Sequence, residues 1–334
     1  MRFSLRLNND LPVARYVALA RAAERWGFDQ FWVSHDLFWR SCPVILGALA
    51  AATRRIALGP CILNPHTIHP AELAMLAATM DELTGARFNL GLAAGAADFL
   101  RWVGITDPRP VGTMRETITA VRAWLRGERG APGPGAFLRA TGDAYLRFPA
   151  PRSTPIYLGA MGPEMLRLCG ELADGALPLL FPPEHYFTVR PLLEEGLARR
   201  GRGLGPLDLA ACIWVSLADD AAAARRALAE KVAYYGHALH PLILSRLGVE
   251  RAELAAVERA VTADRDLVTA CRLLPEAMLR IGVWGQPETL VARLEPLVAA
   301  GVRHLSFGPP LGPDPLEAVE LLGRHVLPHF REGG

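Results

Sequence analysis

The chain has 334 residues, a formal net charge of +2 and 51% hydrophobic side chains, spread evenly along it. That length suits one large α/β barrel or two ordinary domains, and a globule of this size buries roughly 75% of its unfolded surface. No run approaches the roughly 18 uncharged apolar residues of a membrane span, MRFSLRLNND does not read as a signal peptide, and mixed charge without a basic block argues against nucleic acid.

Five scattered cysteines with no CxxC suit reduced thiols in a cytoplasm. Lys231 is the only lysine among many arginines, which reads as GC-rich coding rather than chemistry. Strand and helix patterns alternate nearly end to end, as in a parallel sheet. Phe3–Leu7 is the first predicted strand, followed by a helix from about Leu11 to Trp26 that Gly27 stops. Gln30–Ser34 is the second strand and Cys42–Thr53 the next helix. Arg55–Leu63 and Phe88–Ala93 are strands three and four, with the Pro70–Leu83 helix between them. Val111–Arg126 is helical, and Gly127–Pro151, rich in Gly and Pro, is an excursion. Pro155–Gly159 is strand five, Pro163–Leu172 a helix, Gly175–Leu180 strand six, Glu184–Arg200 a helix and Leu207–Val215 strand seven. Val302–Phe307 is the last strand and Pro315–His329 the closing helix.

Eight strands, each followed by helix, predict an α/β fold, a TIM-type (β/α)8 barrel forming a single domain over residues 1–334. The stretch Ser216–Gly301 is longer than one helix needs. Its surplus, residues 236–279, is a predicted helical insertion between strands 7 and 8, ahead of the Pro287–Ala300 helix. Such an insertion serves as a lid or as a packing or subunit-contact element.

Ligands of parallel α/β folds sit on the loops after strand C-termini. Strand two ends in Ser34, His35 and Asp36, followed by Leu37-Phe38-Trp39-Arg40. His35 and Asp36 suit acid–base work or bonding to a polar heterocycle; in the bland alternative Asp36 caps the next turn and the aromatics cover the rim. Strand three runs into Cys61, Ile62, Leu63 and Asn64, then His66 and His69. Asn64 is a candidate donor to a heterocycle and His69 a candidate helix cap; no HxH or HExxH supports a metal site. Gly91-Leu92-Ala93-Ala94-Gly95 matches neither GxGxxG nor a P-loop, and its small residues would let a flat ligand approach the backbone. Gly159, Ala160, Met161 and Gly162, just before Pro163, form either a helix-terminal anion site or an ordinary βα turn. Asp174 is expected to bond neighbouring backbone, and Ser306–Asp314 to close the pocket floor.

Five motifs stand in register: the Gly-Pro-x-x-x-Asn-Pro corner at Gly59–Pro65, AATMDELTGAR at Ala77–Arg87, YLGAMGPEML at Tyr157–Leu166, GELADGAL at Gly170–Leu177 and GPPLGPD at Gly308–Asp314. Together they resemble the luciferase-like monooxygenase superfamily over essentially the whole chain, and within it most the deazaflavin-dependent methylenetetrahydromethanopterin reductases. The resemblance implies a TIM-like barrel with an insertion near strand seven. It implies coenzyme F420 at the strand C-termini, with its phosphate at the fifth βα turn and hydride exchange at ring carbon C5. On this reading His35 and Asp36 are catalytic. Ser34, Cys61, Ile62, Asn64, Ala93, Gly159, Ala160, Met161 and Gly162 bind cofactor, and a non-proline cis peptide joins Cys61 to Ile62. No metal is expected.

Two departures stand out. The reductases resemble one another in carrying Glu in the first strand, where this chain has Arg6, and Asp-His after strand two, where it has His35-Asp36. A substrate other than the methanopterin is therefore expected. The alternative cofactor is FMN, in a luciferase-like monooxygenase. It ends at its phosphate, whereas the deazaflavin's polyglutamate tail needs an open basic exit, for which Arg40, Arg101 and Arg109 are candidates. A hydrolytic barrel with His-bound metal is disfavoured by ligand spacing, and a non-catalytic flavin-binding barrel is the alternative of another class. The expected partners are a small-molecule substrate and other copies of the chain, as a homodimer or higher homo-oligomer, with no nucleic acid and no membrane.

Overall fold

Side chains alternate along β1 (Arg2–Leu7). Phe3, Leu5 and Leu7 are buried in the hydrophobic layer beneath the helices, while Ser4 and Arg6 hydrogen-bond across the barrel interior. The two-residue period of a strand produces this division. The other strands are β2 (Gln30–Val33), β3 (Ala57–Pro60), β4 (Leu90–Leu92), β5 (Ile156–Ala160), β6 (Gly175–Pro178), β7 (Asp208–Leu217), β8 (Val283–Gly285) and β9 (His304–Leu311). The computed structural model describes residues 1–131, 135–236 and 239–332. Parts of the Gly127–Pro151 excursion and of the 236–279 insertion, residues 132–134 and 237–238, lie outside the described residues.

All pairings are parallel, in the order β3-β2-β1-β9-β7-β6-β5-β4. Bridges Leu58↔Phe88 and Leu63↔Leu92 join β3 to β4 and close the ring. The barrel of the sequence reading is therefore present, as is the cis peptide between Cys61 and Ile62. Two helix stops behave as their residue types require. Gly27 (φ 80°) ends Val13–Trp26 and Gly85 (φ 64°) ends Pro70–Thr84, each in the left-handed region that glycine enters freely.

Three boundaries are corrected. The predicted strand eight is the ninth strand, because the short β8 pairs with the end of β7 (Val215↔Val283, Leu217↔Gly285). Three residues are too few to show a period. Strand four shrinks to Leu90–Leu92, and a short helix, Ala97–Trp102, follows it. The closing helix is interrupted by a π segment at Leu322–Val326.

The insertion contains the helices Pro241–Leu247, Ala255–Thr262 and Leu267–Leu273. Ile243, Leu244, Val257, Ala270 and Met278 form a second apolar cluster with Phe181, Trp214 and the helix Ala221–Gly236. The insertion is thus anchored beside the C-terminal half of β7. Among the described residues no helix is long and apolar enough to cross a membrane.

Candidate active site

The barrel interior is polar at both ends, and the two ends differ. At the strand starts, Asp208 accepts from Tyr157 Oη (2.7 Å) and Arg2 Nη1 (2.9 Å) and meets His304 Nδ1 at 3.1 Å. His304 Nε2 reaches Ser4 Oγ at 2.8 Å, Ser4 donates to Ser306 Oγ at 2.8 Å, and Gln30 Nε2 donates to Tyr157 at 3.1 Å. Burial would raise the Asp208 carboxyl, but bonds from His304 and Tyr157 and the Arg2 charge hold it well below the usual carboxylate range. This layer seals the barrel floor.

Above it lies Arg6, only 5% exposed. Its Nε donates to Ser306 Oγ at 3.2 Å and its Nη2 points at the Ile213 carbonyl at 3.5 Å. The Cys61 thiol is beside it; burial pushes that thiol up to about 12, opposed by the guanidinium charge. At the mouth, Asn8 Nδ2 donates to both Asp36 Oδ2 (3.0 Å) and Tyr235 Oη (3.0 Å). Lys231 Nζ donates to Asn8 Oδ1 at 3.1 Å and lies 4.1 Å from the Tyr235 ring centroid. Burial raises the Asp36 carboxyl against the pull of Lys231, and burial lowers Lys231 to about 8 against Asp10 and Asp36. His35 is held neutral by burial, and its Nδ1 has no partner among the described residues.

The sequence candidates for the site share one end of the barrel. Ser34, His35, Asp36, Cys61, Ile62, Asn64, Ala93 and Gly159–Gly162 all lie at or just beyond the C-terminal ends of β2–β5. Ile62, Ala93 and Gly159 converge: a Cβ added at Gly159 would sit 3.2 Å from Ile62 Cγ2 and 3.3 Å from Ala93 Cβ. Gly162 caps the helix Pro163–Leu172 with no side-chain bond, at φ −91°, and an added Cβ would meet no atom within 4 Å. Its glycine therefore reflects open space, not a left-handed backbone. Met161 packs against the insertion's cluster. Asn64 Oδ1 is committed to the amides of His66 (3.1 Å) and Thr67 (3.0 Å), leaving only Nδ2 for a heterocycle.

Other motifs prove structural. His66 bonds Asp107 at 3.1 Å, and His69 caps its helix through Ala71 N–H at 3.2 Å. Gly91 does not admit a ligand, because an added Cβ would collide with the Pro60 carbonyl oxygen. Asp174 accepts from Ile156 N–H (2.8 Å) and Arg122 (2.7 Å), as expected. Arg40 bonds the Asp10 carbonyl and Arg101 pairs with Asp98, both at the exposed surface. Sequence reasoning missed Asn8, Trp214, Lys231 and Tyr235. Only the last two left a signal, a lone lysine and a tyrosine four residues apart on one helix face.

Residues 1–304 match the family described as luciferase-like monooxygenase. A 5,10-methylenetetrahydromethanopterin reductase of Archaeoglobus fulgidus is 31% identical, over 99% of this chain and 100% of that one. An F420-dependent glucose-6-phosphate dehydrogenase of Nakamurella multipartita is 30% identical, over 94% of this chain and 91% of that protein. Among solved structures, the coenzyme F420-dependent tetrahydromethanopterin reductase of Methanopyrus kandleri superposes with a TM-score of 0.89 at 30% identity, covering 98% of this chain and 99% of that chain. With the barrel, the β3 corner and the open mouth already described, these matches show that the chain belongs to the luciferase-like monooxygenase family.

Proposed function

We propose that the chain is an F420-dependent oxidoreductase that moves a hydride between the deazaflavin and a small organic substrate other than 5,10-methylenetetrahydromethanopterin. Relatives whose names carry F420 and which match nearly end to end support the cofactor. The observation that carries the reading is a set of unspent binding groups gathered at the strand ends. His35 Nδ1 and Thr67 Oγ1 are buried without partners among the described residues. Gly159, Ala93 and Ile62 offer a surface of small and branched side chains. The first bond of the Pro163–Leu172 helix runs from Leu166 N–H to Gly162 O (3.0 Å), so amides ahead of it remain for an anion.

These groups fit a flat polar ring ending in a phosphate. Cys61, Ile62, Ala93 and Gly159 would support the ring face. Ser34 and Asn64 would meet its polar edge, and the turn Gly159–Gly162 with the Glu164 and Met165 amides would hold the phosphate. When bound, the deazaflavin supplies a ring carbon, C5, that takes up or releases hydride. His35, neutral through burial, has a free ring nitrogen with which to pass a proton to or from the substrate. Asp36 is oriented by Asn8, and Trp214 packs on Phe181 (ring centroids 4.7 Å apart).

Anaerobic mixing of F420 and protein with a panel of small alcohols and hydroxy acids, read by bleaching of the deazaflavin absorbance, tests this. Bleaching by at least one of them is expected. Turnover confined to the methanopterin would overturn the substrate reading, and turnover with FMN alone would overturn the cofactor.

A further inference from the structure

The most deeply buried cation, Arg6, has no carboxylate within ion-pair distance among the described residues. Arg122 has Asp174 at 2.7 Å and Arg152 has Asp81 at 3.0 Å. Lys231 feels Asp10 and Asp36. Arg6 is as buried as any of these, yet no carboxylate among the described residues lies within ion-pair distance of it. Of its five N–H groups, one is bonded to Ser306, and Nη2 finds Ile213 O at the limit of a hydrogen bond. No oxygen among the described residues accepts from Nη1.

A buried unpaired ion is costly, and proteins retain one where a ligand completes it. The surroundings fix the guanidinium in place. A Cβ at Gly308 would collide with Nη2, so β9 runs bare past the guanidinium. Trp214 flanks the same point, with Lys231 Nζ 5.9 Å from its ring centroid. The Ser4–Ser306–His304 layer closes the side below. The Cys61 thiol bonds the guanidinium on a further side, so a ligand would complete the donors that Ser306, Ile213 and Cys61 leave over.

We propose that Arg6 is the counter-charge for the substrate: the pocket takes a small organic acid, whose carboxylate docks on the planar guanidinium fork at the centre of the barrel. A guanidinium matches a carboxylate through two parallel N–H bonds, which a lysine cannot reproduce. Lys231 has a donor spent on Asn8 Oδ1 and feels Asp10 and Asp36 from beyond ion-pair distance, whereas Arg6 presents a planar fork, so Arg6 is taken as the docking point. The substrate role rests on the hydride-transfer reading above; the anion site stands without it.

The cofactor-free protein is titrated with acetate and benzoate and with their neutral counterparts acetamide and benzamide, following fluorescence of the neighbouring Trp214 and the melting temperature. F420 is titrated separately. The carboxylates are expected to saturate a site and raise the melting temperature, and the amides to do neither. Arg6→Gln should weaken benzoate binding tenfold or more, leave F420 affinity within threefold, and raise the melting temperature of the cofactor-free protein by removing the unpaired charge. Arg6→Lys should keep weak carboxylate binding. Equal binding of acid and amide, no binding of either acid, or undiminished benzoate binding by Arg6→Gln would overturn the proposal. So would loss of F420 with benzoate unaffected, because Arg6 would then serve the cofactor. A misfolded Arg6→Gln leaves Gly308→Ala as the second variant; its Cβ displaces the guanidinium and should weaken benzoate binding tenfold or more, and undiminished binding would equally overturn the proposal. Failure of the unmodified protein to bind F420 would sink the cofactor reading and leave the carboxylate result standing.

Discussion

The two ends of the barrel use similar residues to opposite effect. At the strand starts, Arg2, Tyr157, Asp208 and His304 lock one another into a network in which each charge has a partner, and Gln30 Oε1 is the orphan at its edge. Among the described residues at the strand ends, Arg6 has no carboxylate within ion-pair distance, His35 Nδ1 has no partner, and Lys231 reaches Asp36 through Asn8. A closed network consumes its polar groups in holding the fold. An open one leaves them for a ligand. Mutations at the floor should therefore be read as stability, and mutations at the mouth as binding and turnover.

The sharpest way to break that contrast is Asp208→Asn. Removing one member of a buried charged network costs about 3–5 kcal/mol, measurable by denaturant unfolding, and F420 affinity of the folded fraction should stay within threefold. The pH dependence has a definite sign. The Asp208 carboxyl titrates lower in the folded chain than its unfolded value of 3.8. Its stabilisation is present above that value and is lost as pH falls below it. A variant that is as stable as the parent in acid and at neutrality would contradict the floor's role.

Next is His35→Ala. Loss of a proton-transfer group should slow turnover about a hundredfold with little change in melting temperature, since His35 Nδ1 has no bond to lose among the described residues. Asp36→Asn should behave similarly but more mildly. Unchanged turnover with a large loss of stability would return both residues to a structural role. Gly162→Val comes third. The backbone there is extended and the space open, so valine folds readily, with about 1 kcal/mol expected at most from the poorer cap. F420 should bind about tenfold more weakly, because 1.4 kcal/mol of lost contact suffices for that factor. Normal binding would move the phosphate elsewhere.

The last expected effect is at Lys231. Its folded value near 8 lies below the ordinary 10.5, so the unfolded chain holds the proton over that interval and the folded chain does not. Stability should rise with pH between those two values, and Lys231→Met should flatten the rise. An unaltered pH profile would mean that the lysine is solvated.

Much of this was legible in the chain because the fold and the β3 corner are local. Thr84-Gly85 stops a helix wherever it stands, and Gly-Pro-Cys-Ile-Leu-Asn-Pro marked the corner whose Cys61–Ile62 bond is cis. The motif around Asp81 was equally visible, and it turns out to be a structural tie: Asp81 takes bonds from Arg152, Thr154 and the Phe88 amide. What was hidden depends on long-range approach. Nothing near Asn8 in sequence announces that the helix Ala221–Gly236 delivers Lys231 and Tyr235 to it. The lone lysine, which read as a coding bias, sits at the mouth. Arg6 was visible only as an oddity in the first strand; its missing partner is a fact about every strand around it.

The most direct test of the mouth as a deazaflavin site is a parallel titration of F420 and FMN into one preparation, followed by quenching of protein fluorescence. The account predicts saturable F420 binding at least tenfold tighter than FMN, with Gly162→Val weakening it and Asp208→Asn leaving it unchanged in the folded fraction. Tighter FMN binding, or no saturable binding of either, would contradict it.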